Sequence, residues 1–137
     1  MTHTNIDQEI CEARQAGIRA LNSLRQAQRH MDSARSWGIF DMLGGGMISS
    51  LIKHSKIDDA QRCVEQAQDD LRDFCRELED VDMPDVRIDD LLTFADFFFD
   101  GSLADFLVQQ RINEARARLE QICRQVEEIL YRLGERL

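Results

Sequence analysis

A single proline, Pro84, and no run of alternating β-branched residues leave little room for strands in this 137-residue chain. No stretch approaches the roughly 18 consecutive apolar residues of a simple membrane-crossing helix. The N-terminus lacks a basic segment leading into a short apolar one, so no signal peptide is expected. The four cysteines, Cys11, Cys63, Cys75 and Cys123, form no Cys-x-x-Cys pair, which leaves a zinc site or a thioredoxin-like redox motif without support. Reduced thiols in the cytoplasm are the expectation. Positive charge is also short: the formal net charge is −9, which argues against nucleic acid, a partner that demands a basic face. Histidine is scarce too. His3 lies near the terminus, His30 sits on a charged helix, and only His54 has an informative neighbourhood. No Ser/His/Asp or Cys/His combination has the local context of a nucleophile. No catalytic residue, metal set or cofactor is therefore assigned.

What the chain has is hydrophobic periodicity. A first stripe reads Ile10, Ala13, Gly17, Ala20, Leu24, Ala27, Met31, Ala34, alternating steps of three and four as coiled-coil a and d positions do. Five of these eight are Ala or Gly, and small residues along a seam let a partner helix approach closely. Asn5 with Gln8 three residues on predicts a capping box at the start of this helix. A second stripe runs Ile57, Ala60, Val64, Ala67, Leu71, Phe74, Leu78, Val81, with Ser55 and Asp58 at capping spacing. It ends at Asp82-Met83-Pro84-Asp85, because proline disfavours helix at the residue before it. The third stripe is Val108, Ile112, Ala115, Leu119, Ile122, Val126, Ile129, Leu133, in a helix expected to start after Ser102. The cysteines each adjoin a stripe residue and read as flanking core packers. Cys11 and Cys75 would approach each other across the first hairpin.

Such stripes must bury against one another or against another chain. The expected fold class is all-α: residues 1–137 form one domain, an antiparallel up-down-up bundle of three long heptad-patterned helices with short helical connectors. The Ala-rich first helix leaves a thin core, so dimerisation into a larger bundle is a serious option. Residues 58–105 carry a balance of −12, sixteen acids against four bases. An acidic middle fits complementary packing of neighbouring helices better than it fits a docking face for a basic partner.

Two segments interrupt the pattern. Residues 37–54 run Trp37-Gly38-Ile39-Phe40-Asp41-Met42-Leu43-Gly44-Gly45-Gly46-Met47-Ile48-Ser49-Ser50-Leu51-Ile52-Lys53-His54, longer and more apolar than a helix–helix turn requires. Residues 91–101 hold Phe94, Phe97, Phe98 and Phe99, four of the seven phenylalanines, in an expected short helix ended by Gly101. The string W-G-x-x-D-x-x-G-G-G, then K-H-S-K-I-D-D-A-Q at Lys53–Gln61 and F-A-D-F-F-F-D-G at Phe94–Gly101, resembles a family of small uncharacterised all-helical bacterial proteins. The likeness covers roughly residues 30–110. It implies a shared fold and supplies no reaction.

The binding candidates lie in these interruptions: Trp37, Asp41, Gly44, Gly45, Gly46, Lys53, His54, Asp96 and Asp100. Consecutive glycines with Lys53, His54 and Lys56 nearby suit a small anion. The segment lacks the Gly-Lys-[Ser/Thr] ending of a P-loop, however. The plainer reading, a cap in which Trp37, Ile39, Phe40 and Leu43 close the bundle end, is preferred. Asp96 and Asp100 share a helical face and would join Asp41 or His54 in a metal site. Solvated acids capping helix starts explain them better. Membrane contact through residues 37–52 ranks lower still, since no basic polar face accompanies them. The leading expectation is a non-enzymatic interaction protein that self-associates. A ligand-, anion- or metal-dependent protein, or an enzyme, using the connectors is the alternative.

Overall fold

A computed structural model describes residues 2–42, 47–81, 83, 88–97 and 112–136, with side chains described for 5–32, 59–81, 83, 88, 89, 91–93 and 113–136. Among the described residues the regular elements are all α-helices: α1 (Thr2–Met42), α2 (Met47–Glu79), α3 (Ile88–Phe97) and α4 (Ile112–Glu135). There is no strand among them, and no helix long and apolar enough to cross a membrane.

Every stripe residue with a described side chain is buried, from Ile10 to Met31 on α1, Ala60 to Val81 on α2 and Ala115 to Leu133 on α4. They form one core cluster, to which α3 contributes Leu91, with Ile88, Leu92 and Met83 packed against its edge. Fully burying a large apolar side chain stabilises by about 1.5–3 kcal/mol, and Phe74, Leu71, Leu78, Leu119 and Ile122 are among the largest side chains fully buried in this core. Small residues are most frequent on α1. Ala13, Ala16, Gly17, Ala20 and Ala27 on α1 face the bulkier rows of α2 and α4, and α1 packs on both. Gly17 marks the closest approach: a Cβ placed there would lie 2.6 Å from Leu130 Cδ2 and 2.8 Å from Phe74 Cε1.

The expected helix starts are corrected. Asn5 lies inside α1 and Ser55 inside α2, so neither caps a helix. Gln8 Nε2 donates instead to Glu12 Oε1 at 3.2 Å, a bond along the helix face. Both helices run on into the first interruption, which leaves only residues 43–46 between α1 and α2. Residues 37–54 are thus mostly extensions of the two longest helices, and the expected connector does not exist as such. At its other end α2 tightens before Pro84, with Asp80 N–H donating to the Glu77 carbonyl at 3.2 Å and Val81 N–H to that of Leu78 at 3.1 Å. A short helix near the Phe-rich segment is present as α3, and the expected stop at Gly101 lies outside the described residues, as does any start of the last helix before Ile112.

Chain direction is corrected as well. Gly17 meets Phe74 and Ser23 meets Asp70, so α2 runs antiparallel to α1 as expected. Gly17 also meets Leu130, Arg25 pairs with Glu127 and Asp32 with Arg116, so α4 is antiparallel to α1 too. An up-down-up order would make it parallel. The reason lies between Val81 and Ile112: about 30 residues at 1.5–3.3 Å each suffice to carry the chain back along the molecule before α4 begins. The resulting match of charges favours this direction. A parallel α4 would set Arg14 against Arg116, whereas the antiparallel one sets Asp32 there.

Candidate functional site

Once the direction of α4 is known, the stripes identify which polar residues meet. Arg25, Gln28 and Asp32 each follow a stripe residue on α1, and Arg116, Glu120 and Glu127 each follow one on α4. These six positions face one another across the α1–α4 seam. Asp32 Oδ1 accepts from Arg116 Nε at 2.8 Å and pairs with its Nη2 at 2.6 Å. Arg116 Nη1 also donates to Asn113 Oδ1 at 3.3 Å, while Gln28 donates to Glu120 and Arg25 to Glu127. Glu120 Oε1 accepts in addition from Arg124 Nε at 3.3 Å. Gln28, Asp32, Asn113, Arg116, Ala117 and Glu120 line an open cleft of about 440 Å³. Towards the other end of the seam Arg14 reaches Gly134, beside the C-terminal end of α4, where the helix dipole favours a cation. Arg14 Nε is buried there, with no hydrogen-bond partner among the described residues.

Residues that precede a stripe position serve the other seam. Ser23, before Leu24, donates to Asp70, before Leu71, and so links α1 to α2. Gln68 is buried within α2. The acidic middle does not supply the pairs at the α1–α4 seam. Of its acids on α2 and in the turn after it, Asp59, Glu65, Asp69, Asp73, Glu79 and Asp80 are exposed.

The connector candidates fall where side chains are not described. The backbone places Trp37 and Asp41 in the last turns of α1, and Lys53 and His54 early in α2. Only four residues separate those helices, so these four positions lie at one end of the α1–α2 hairpin. Asp96 is on α3, which packs on α2. Gly44, Gly45, Gly46 and Asp100 lie outside the described residues. Among the described residues no group of three or more His, Cys, Asp or Glu is placed to hold a metal ion.

The cysteines separate by burial. Cys75 and Cys123 are buried, Cys63 is half-buried and Cys11 is exposed, and all four are free. Two of them thus belong to the core. Cys11 does not: it is exposed, whereas Cys75, its expected neighbour across the hairpin, is buried. Burial pushes the Cys75 thiol up to about 12, with Glu79 adding to the rise, and the Cys123 thiol up to about 11. Burial, and secondarily Asp59, also raises Cys63. Because the thiolate is the reactive form, iodoacetamide at pH 8 should modify Cys11 first and leave Cys75 and Cys123 intact until the chain unfolds. Mass spectrometry showing early label on Cys75 would contradict this burial. Stability linked to Cys75 is fully present below its ordinary value of 9.0 and is lost as pH climbs from there through about 12. Urea midpoints should therefore fall across that window.

No family model matches the chain, and no curated protein and no solved structure matches it either.

Proposed function

We propose that this chain is a non-enzymatic helical-bundle protein of the cytoplasm that acts through protein contacts and associates with itself. The observation that carries the reading is the α1–α4 seam, where the polar side chains are spent on matching one helix to another across a cleft. Exposed pairs of this kind are worth only about 0–1 kcal/mol each, so their value lies in register and choice of partner more than in stability. Burial of the described stripe residues supports heptad packing throughout, with residues 1–137 as one bundle. The small-residue row on α1 supports close helix contact. Kinship with the small helical bacterial proteins is part of the same proposal.

Sedimentation equilibrium over a range of concentrations tests it. The expected result is a mass of at least twice the 15.9 kDa of one chain. A strict monomer at the highest concentration would overturn the self-associating part.

A further inference from the structure

The outward face of the α1–α4 seam has a property that a single chain does not use. We propose that this face is a two-fold interface with a second copy of the chain, an inference that rests on the self-association proposed above. The face is open on the described residues: α3 packs on α2 and touches α4, on the other side of the molecule.

At each level along the seam, the α1 residue and the α4 residue carry complementary groups. Asp32 stands level with Arg116 and Gln28 with Glu120, while Arg25 reaches about one turn along the seam to Glu127. One level has no charge. Gly17 lies against Leu130, and in antiparallel helices the next residues, Ile18 and Tyr131, step past each other by only about 3 Å. Ile18 is seven residues before Arg25 and Tyr131 four after Glu127, which puts them on the faces those residues occupy. Ile18 is 46% exposed and Tyr131 70% exposed, with half-buried Leu21 one turn from Ile18.

Consider a two-fold axis parallel to the helices, lying outside the seam and equidistant from α1 and α4. It lays α1 of the second copy over α4 of the first without changing any residue's level. Each residue then faces the same chemistry across the interface that it faces within its own chain. Asp32 meets two copies of Arg116, Arg25 meets two of Glu127, and Ile18 and Tyr131 form a closed apolar layer with their mates. A face whose levels pair opposite charges is self-complementary under this axis, and an isologous dimer requires that property. Like charges, the usual bar to a second copy on a charged face, then stand only on the diagonals across the axis, farther apart than the opposite charges on adjacent helices. The cleft beside Asp32 and Arg116 leaves room for the second copy's side chains at the charged end.

Two variants test the inference by sedimentation equilibrium and circular dichroism. Ile18→Glu with Tyr131→Glu places four acids in the apolar layer, and both sites are exposed, so helicity should be retained. The expected result is a dimer dissociation constant raised at least about 100-fold. The second variant combines Arg25→Glu with Glu127→Arg, which keeps every pairing within a chain and between swapped copies. It should dimerise with itself yet fail to form mixed dimers with the wild-type chain, because Arg25 would then face Arg and Glu127 would face Glu. An unchanged dimer in the first variant, or free mixing in the second, overturns this face while leaving self-association standing. A wild-type chain that stays monomeric removes both.

Discussion

Phe74→Ala is expected to destabilise the chain by about 3–5 kcal/mol, the usual cost of emptying an aromatic site in a packed core. Phe74 has no exposed surface and sits where three helices meet, with its ring against Gly17 of α1 and Leu130 of α4 converging on the same glycine. Leu130 can fill only part of the space. Gly17 has no side chain, and the backbone of α1 is held by its alanines, so a cavity remains. At a few degrees per kcal/mol for a chain of this size, the thermal midpoint should drop by roughly 10–20 °C. A loss under 1 kcal/mol in urea titration would show that Phe74 is not at the centre of the core.

Gly17→Ala should also destabilise, by about 1–2 kcal/mol, although alanine is the better helix former by about 1 kcal/mol. The new methyl would press on Leu130 Cδ2 and on the Phe74 ring, at 2.6 Å and 2.8 Å. Half-buried Leu130 can swing aside, whereas the fully buried ring has nowhere to go, and overpacking typically costs about 1–3 kcal/mol. The sign should reverse once the ring is gone. In a Phe74→Ala background, Gly17→Ala should be neutral or stabilising by up to about 1 kcal/mol, as helix propensity outweighs the remaining contact. A double-mutant cycle with no coupling would refute the packing of these two residues.

These two positions show how far the sequence could be read. Phe74 was legible as core because it occupies a stripe position on a helix whose period is unbroken. Gly17 was legible as a point of close packing, since a glycine inside a helix has to be offset by something. The two helices that converge on it were not legible, because periodicity says which side of a helix is buried and nothing about which neighbour covers it. The expected caps failed at Asn5 and Ser55 for a related reason. A capping pair is a local preference worth about 1 kcal/mol, and α1 and α2 run through both positions regardless. The candidate site was legible only in retrospect. Arg25, Gln28, Asp32, Arg116, Glu120 and Glu127 all follow stripe residues, a regularity visible in the sequence but silent until the direction of α4 is known.

The sequence by itself determined the helical class and the buried rows, because alternating steps of three and four place apolar residues on one side of any helix they occupy. Only the tertiary structure decided that the last helix runs against the first. Direction depends on how far residues 82–111 carry the chain before it turns, and no local pattern encodes that distance. The pairing of Asp32 with Arg116 and of Arg25 with Glu127 follows from that direction alone, and the proposed self-complementary face rests on those pairs.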